Sequence, residues 1–265
     1  MIARMVILAA LAGMLASYVA EAHPRPETLA AFDHYVAQAE ARIQQEESSP
    51  DSFLSMTWSR TSEREARLRR GEMLVERYGV TPRAAPGGLI HDWQGITFIP
   101  NATIARVVSL LQDYQHLRRY YRPEVLASQL LSRKGDDFHV SMRLRQHRMV
   151  TVVLDTEYDV HYGRLDAFHQ YSFARSTRIV EIVNAGERDE HSLAQGQDHG
   201  FLWRLNTYWR FLQAPDGVFV QCEAISLSRD VPAGLGWLIG ALVENIPRES
   251  LHFTLCATRD AALAE

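Results

Sequence analysis

The sequence predicts an α+β fold in which a curved antiparallel sheet wraps around a long C-terminal helix. Two stretches near the end of the chain, 200–212 and 218–228, alternate as strands do, and the turn residues 214–217 separate them. The segment that follows carries apolar residues at helical spacing. Because such an apolar stripe is stable only when it is covered, we expect the helix to lie across the sheet.

The final helix begins after Pro232-Ala233-Gly234, where glycine and proline let the chain turn. Pro247 lies inside the helical pattern, removes one backbone hydrogen bond and restricts the preceding residue, so we expect a kink or a break there. The apolar stripe consists of Ile239, Leu242, Val243, Ile246, Phe253 and Thr254.

The two long strands form a hairpin whose register follows from the length of its turn. A four-residue turn pairs positions that sum to about 431, so Trp209 faces Cys222 and Thr207 faces Ala224. Large side chains opposite small ones would leave a space on the inner face, although an ordinary core of alternating sizes explains the pattern equally well. We expect the polar outer face of the first strand to be exposed to solvent. Its inner face is predicted to carry Trp203, Leu205, Thr207 and Trp209.

The N-terminus has the pattern of a secretory signal peptide over residues 1–22. An apolar run, 5–16, follows Arg4 and precedes the small residues of Ala20-Glu21-Ala22. A retained membrane anchor is the alternative, but the run is shorter than the roughly 20 apolar residues that a spanning helix needs. We therefore expect a protein that is extracytoplasmic, either periplasmic or secreted. Its net charge of −4 argues against nucleic-acid binding, which needs a basic surface.

Residues 23–70 are predicted to form a helical N-terminal extension. Helical spacing covers 26–47, and a second helix, rich in arginine and glutamate, covers 61–70. Ion pairs such as Glu63 with Arg67 would balance the charges of this second helix in solvent. The alternative is that the helix docks on a membrane.

Short strands begin at residue 71, and we predict one domain from 71 to 265. A helix over 102–111, capped by Asn101, interrupts the strands. A hairpin follows, whose outer face has basic residues on one strand opposite acidic residues on the other. This pairing favours salt bridges over a metal site. The predicted strands are 72–78, 89–99, 125–131, 138–148, 149–162, 167–174 and 177–183.

The order of these elements resembles the START-like, or helix-grip (SRPBCC), superfamily of lipid-transfer domains, polyketide cyclases and aromatases, and coenzyme Q binding proteins. The local similarities are Leu111-Gln112-Asp113-Tyr114, then Tyr121-Arg122-Pro123-Glu124-Val125, and the helical segment that begins at Pro247-Arg248-Glu249-Ser250-Leu251. The resemblance covers about 71–262. It implies a sheet that grips the last helix and encloses a deep, mainly apolar cavity.

Cavity and resemblance together predict a carrier or sensor of a hydrophobic small molecule, such as a lipid or an isoprenoid, without cofactor or metal. The expected lining comprises Trp203, Leu205, Thr207, Trp209, Cys222, Ala224, Val152, Leu154, Tyr158, Tyr114, Ile239 and Val243.

Two alternatives remain open. A cyclase-like or aromatase-like enzyme would need an acid or base in the cavity, for which the sequence offers Tyr114, Tyr158 and His252. An envelope interaction module would use the basic and aromatic run 116–122 to make peripheral contact with an anionic membrane.

Two smaller groups of residues carry weaker predictions. Cys222 and Cys256 are either unpaired or joined as a disulfide. His191, His199 and Asp189 lie in one loop, but their spacing fits no common metal site.

Overall fold

The computed structural model describes residues 23–49, 52–54, 62–147, 151–194, 197–230 and 236–264. In the last helix, it describes side chains only from residue 245 onward. The predicted signal peptide lies outside these ranges. The helices are α1 (Pro26–Glu47), α2 (Ser62–Arg69), α3 (Ile104–Gln112), α4 (Leu117–Tyr120) and α5 (Gly236–Ala264). The strands are β1 (Leu74–Arg77), β2 (Arg83–Ala85), β3 (Gly88–Pro100), β4 (Val125–Lys134), β5 (Asp137–His147), β6 (Thr151–Arg164), β7 (His169–Val183), β8 (His191–Ser192), β9 (Arg204–Ala214) and β10 (Gly217–Arg229).

The strands form one antiparallel sheet with α5 packed across it, so the predicted helix-grip fold is confirmed. The strand order is β1-β3-β10-β9-β7-β6-β5-β4, while β2 pairs with β3 and β8 pairs with β7. The predicted register of the last hairpin is also confirmed, because Trp209 pairs with Cys222 and Thr207 pairs with Ala224. Helix α5 contacts β3, β10, β1, α3 and α4. We call the side of the sheet that faces α5 the concave face.

The C-terminal half of α5 seals one part of the concave face. Leu251, Leu255 and Thr258 are buried there, and the first two belong to the main apolar cluster of the protein. Gly95 on β3 permits this close approach, since a Cβ at that position would overlap the side chain of Leu255. Helix α5 continues through Pro247, so the predicted break is absent.

Helices α1 and α2 cover the opposite side of the sheet, which we call the outer face. Phe32 and Val36 of α1 pack with Ile90 and Ile225 of the sheet. Leu68 of α2 joins a separate cluster on β1, β3 and β10. The expectation of an exposed outer face on β9 is therefore wrong. The polar side chains concerned are buried because α1 lies over them; they are Asn206, Tyr208 and Arg210.

Buried ion pairs fasten α1 to the sheet. Arg210 is 1% exposed and donates to Glu46 at 2.6 Å and to the carbonyl oxygen of Phe53 at 2.7 Å. Arg42 donates to Glu223 at 2.5 Å, and Glu223 also accepts from the amide of Gln94. These bonds supply partners for charges that would otherwise be costly to bury.

Two local expectations need correction. The N-cap of α3 is Thr103, whose hydroxyl accepts from the backbone N–H of Arg106; Asn101 has φ of 59° and serves as a turn residue instead. The strands predicted at 167–174 and 177–183 are one strand, β7, with a register shift at Thr177. A β-bulge inserts an extra residue without ending a strand.

The predicted salt-bridged surface on the β5–β6 hairpin is confirmed. Arg143 binds both carboxylate oxygens of Asp155, at 2.7 and 2.9 Å, and also Glu190 at 2.8 Å. On α2 the arginines are likewise paired, although Arg67 pairs with Glu72 and not with the predicted Glu63. No described helix is long and apolar enough to cross a membrane.

We expect Glu46→Ala to lower the free energy of unfolding by about 3 kcal/mol, because the substitution leaves the buried Arg210 without its closest carboxylate. Urea unfolding would measure the loss. Glu72→Ala is the matched control: its ion pair with Arg67 is exposed to solvent, so its loss should change the free energy of unfolding far less. Equal losses in the two variants would contradict this account of the outer face.

Candidate functional site

The concave face has a strip of small side chains at its centre. Strand pairing aligns Ala174 on β7, Thr207 on β9 and Ala224 on β10 as direct neighbours. Val160 on β6 pairs with Ala174 at one end of this row, and Trp93 on β3 pairs with Ala224 at the other. We call Ala174, Thr207 and Ala224 the small-residue floor. With strands about 4.8 Å apart, the floor is about 10 Å wide.

The rows on either side of the floor also contain small residues. One row runs through Tyr158, Ser176, Leu205, Ser226 and His91, and the backbone N–H of Leu205 donates to Ser176 at 3.0 Å. The other row runs through Tyr162, Ser172, Trp209, Cys222 and Gly95. Together with the floor, these rows form a shallow depression bordered by aromatic rings.

Among the described residues, several side chains around the floor are incompletely buried. Leu205, Thr207, Trp209 and Ala224 face α5 and keep part of their surface accessible. Their neighbours on the same strand that face α1 are buried. On these two strands, this difference indicates that the part of the concave face around the floor is packed less completely than the outer face opposite it.

Three buried polar atoms border the floor without a close hydrogen-bond partner among the described residues. They are the hydroxyl of Tyr158, Nε1 of Trp93 and Nδ1 of His91. These residues are only 3%, 4% and 1% exposed, respectively. Thr156 lies two residues from Tyr158 on the same face; its hydroxyl donates to the carbonyl oxygen of Met142, and its oxygen can still accept from the Tyr158 hydroxyl.

Burial keeps these groups uncharged near neutral pH. It raises the pKa of Tyr158 to about 12, an effect that Thr156 partly offsets. It lowers the pKa of His91 to about 4. Nε2 of His91 lies 3.2 Å from the hydroxyl of Ser228, so Nδ1 is the ring nitrogen left free.

Further along the concave face, tyrosine hydroxyls are paired. The hydroxyls of Tyr114 and Tyr162 are 2.9 Å apart, and that of Tyr121 lies 2.7 Å from the hydroxyl of Thr258 on α5. Burial raises the pKa of all three tyrosines, so they remain protonated at neutral pH. This region is a completed core and offers no free polar group.

The structure places most of the predicted lining residues on the concave face. Val152 and Leu154 are buried there by strand alternation. Ile239 and Val243 belong to α5, but their side chains lie outside the described residues. The residues found on the concave face are Tyr114, Val152, Leu154, Tyr158, Leu205, Thr207, Trp209, Cys222 and Ala224.

The predicted position of Trp203 on the inner face is wrong. It packs in the α1 cluster on the outer face, and its indole N–H donates to Asp198 at 3.0 Å. Strand β9 begins only at Arg204, and a bend at Trp203 ends the alternation that placed the indole inside. The candidate acid or base His252 is exposed.

Ala174, Trp93 and His91 were not among the predicted lining residues. Sequence patterns located the strands that carry them, but these residues join the site only through the pairing of β3 with β10 and of β7 with β9. A sequence pattern contains no direct signal for pairing between strands that are distant in the chain.

Neither a disulfide nor a metal site in the histidine loop forms among the described residues. Cys222 and Cys256 are both free thiols, and burial raises the pKa of each. Nδ1 of His199 lies 2.8 Å from Glu181. Within the described part of the chain, no three His, Cys, Asp or Glu side chains come together as a metal site built from these residues alone would require.

No protein-family model matches this sequence, and no curated protein matches it at a significant level. Among solved structures, a STAR-related lipid transfer protein from Xanthomonas axonopodis is 20% identical with a TM-score of 0.44, and the match covers 68% of this chain and 96% of that one. A protein from Thermus thermophilus is 18% identical with a TM-score of 0.46 and coverage of 64% and 96%. The Zhui aromatase/cyclase from a Streptomyces species is 12% identical with a TM-score of 0.44 and coverage of 65% and 93%. The similarity concerns the fold.

We expect the free energy of unfolding to fall as the pH decreases from about 7 to 4, partly because of His91. Its pKa is about 4 when folded and 6.5 ordinarily, so the unfolded chain takes up a proton that the folded protein does not. His91→Asn should remove up to about 3 kcal/mol of this pH dependence.

Comparing the wild-type protein with His91→Asn separates the contribution of His91 to the pH dependence from that of its neighbour Asp92, because both proteins contain Asp92. Burial raises the pKa of Asp92, so this carboxyl acts with the opposite sign and favours the folded state as the pH falls. Urea unfolding of both proteins at several pH values would measure the effect, and identical pH profiles would contradict it.

Proposed function

We propose that this protein is an exported carrier or sensor that binds a hydrophobic small molecule, such as a lipid or an isoprenoid, between the concave face and α5. The observation that carries this proposal is the small-residue floor, whose surroundings remain partly accessible on the face that α5 covers. Apolar side chains surround this space, including Leu205, Trp209 and Val160. Burying a ligand there would contribute about 25 cal/mol per Å² of apolar surface before ordering costs.

Export rests on the signal-peptide pattern of residues 1–22. In that case the mature protein begins at His23 and functions in the periplasm or outside the cell. N-terminal sequencing of the protein recovered from the envelope would test this, and an intact Met1 would count against cleavage.

Catalysis is supported less well than binding. Tyr114 is hydrogen-bonded to Tyr162, and its raised pKa prevents it from acting as a base near neutral pH. His252 is exposed, so it cannot act on a molecule held inside. Tyr158 does border the floor, but burial raises its pKa to about 12, so it stays protonated and cannot act as a base near neutral pH. The geometry therefore favours a carrier over a cyclase-like enzyme.

A larger residue on the floor should prevent binding. We expect Ala224→Leu to reduce the amount of co-purified ligand at least tenfold, because the added atoms fill the depression, while the protein still folds. Ala127→Leu is the matched control, since Ala127 is exposed on β4. Each protein would be purified from its native compartment and analysed by native mass spectrometry and solvent extraction. A wild-type protein without ligand, or equal ligand in both variants, would count against the proposal.

Peripheral contact with a membrane would place the concave face close to a membrane-borne ligand. A surface groove of about 570 Å³ lies between α4 and the end of α5. Two arginines, Arg119 and Arg122, and one carboxylate, Asp260, line it, with Phe253 and Ala257 on its apolar side. Cationic side chains beside apolar ones suit the surface of an anionic bilayer. Tyr121, which the sequence analysis assigned to the same contact, is buried and bonded to Thr258.

We expect Arg119→Gln/Arg122→Gln to weaken binding to phosphatidylglycerol vesicles, measured by sedimentation, by about thirtyfold at low salt, at about 1 kcal/mol per arginine. The control variant is Arg67→Gln/Arg70→Gln, which removes the same charge from arginines paired with Glu72. If both double variants sediment like the wild type, membrane contact through α4 is excluded.

A further inference from the structure

Three metal-ligating side chains meet where the C-terminal half of α5 passes the segment that leads into β1. Sγ of Cys256 lies 3.7 Å from Sδ of Met73 and 3.7 Å from Nδ1 of His252. A thiol, a thioether and an imidazole nitrogen are therefore brought together with Cys256 at the centre. None of the three residues belongs to the small-residue floor, and the proposed function does not use them.

The separations of these atoms match those of ligands that share one metal ion. With metal–sulfur bonds of about 2.3 Å and metal–nitrogen bonds of about 2.0–2.1 Å, tetrahedral or trigonal geometry places two ligands about 3.6–4.0 Å apart. Both measured separations, 3.7 Å, lie within this range. An ion can therefore bind Cys256 together with either neighbour while the backbone keeps its position.

The fold holds the two segments that carry these side chains side by side. His252 and Cys256 are four residues apart on α5, so they share one face of the helix. Met73 immediately precedes β1, which pairs with β3 in the sheet. Just before Met73, the carbonyl oxygen of Gly71 accepts from the guanidinium of Arg259 on α5 at 3.1 Å. This hydrogen bond and the pairing of β1 keep the thioether beside the helix.

The set of donor atoms favours Cu(I) over the other common metal ions. Thiolate and thioether sulfurs are soft ligands that select Cu(I), and imidazole also suits copper. Structural Zn²⁺ sites use four ligands from Cys, His, Asp and Glu, and a thioether is not among them. A single thiolate also cancels the single positive charge of Cu(I), whereas Zn²⁺ would leave one charge uncompensated.

We propose that Met73, His252 and Cys256 form a binding site for Cu(I), whose ligands are the two sulfur atoms and Nδ1 of the imidazole. Binding of the ion displaces the thiol proton of Cys256 to solvent, and the copper remains Cu(I) throughout. His252 is exposed and the two sulfur-containing side chains are partly exposed, so the ion reaches the site from solvent. The site is separate from the small-residue floor and does not depend on a ligand there.

Competition with the chromogenic Cu(I) chelator bicinchoninate tests this proposal. The protein purified from its native compartment would be titrated with Cu(I) without oxygen and with ascorbate present. We expect each chain to retain one Cu(I) against the chelator, and X-ray absorption to show sulfur and nitrogen ligands. An excess of Zn²⁺ should not displace the copper.

The ligand variants should lose most of this affinity. Cys256→Ala should weaken Cu(I) binding at least about a hundredfold and Met73→Leu at least about tenfold, since even groups that only support a metal ligand contribute about 10-fold to 100-fold. Met73→Leu conserves side-chain volume, so it provides an independent variant should Cys256→Ala fold poorly.

The matched controls are Cys222→Ala and Met142→Leu, which make the same substitutions on strands β10 and β5 of the sheet. Both should bind Cu(I) like the wild-type protein. Failure of the wild type to retain Cu(I), displacement of the copper by Zn²⁺, or equal affinity in the ligand variants and the controls would overturn the copper site. None of these results would affect the proposed binding of a hydrophobic molecule on the concave face.

Discussion

The structure depends on the burial of β3, β9 and β10 on both of their faces. On the outer face, α1 seals these strands with apolar side chains such as Phe32 and with ion pairs to Arg210 and Glu223. A sheet closed on that side does not depend on complete packing on the other side for its stability. The concave face can therefore leave a depression at Ala174, Thr207 and Ala224. Stability and the capacity to bind are in this way separated onto opposite faces.

The buried ion pairs of the outer face determine where α1 lies on the sheet more than they stabilise the fold. An ion pair such as Arg210 with Glu46 gains little over an apolar pair, because desolvation cancels most of the attraction. The hydrogen bonds of these ion pairs are directional, however, and both form in only one placement of the helix. In that placement Arg210 binds Glu46 while Arg42 binds Glu223. A stripe of Phe32 and Val36 alone would tolerate sliding along the sheet. The polar contacts fix the register of α1 on β9 and β10.

The sequence was sufficient for the elements and for the last hairpin, and it was not sufficient for the site. Turn length determined that Thr207 faces Ala224, and helical spacing gave α1 with its observed bounds. Trp203 was misplaced because one bend reverses the side on which a residue lies. Arg210 looked solvent-facing since no local pattern shows that a distant helix will cover it. His91 and Trp93 joined the depression only through pairing across more than a hundred residues.

The position of α1 in the chain has a consequence for biogenesis. Its partners Arg210 and Glu223 lie 164 and 181 residues after the glutamate and arginine that bind them. The helix is synthesised first, yet its binding surface exists only after the final hairpin has formed. Until then its apolar stripe has no cover, and contacts at such a distance along the chain form slowly. If the protein is exported unfolded, as proposed, this interval favours association with a chaperone on the far side of the membrane.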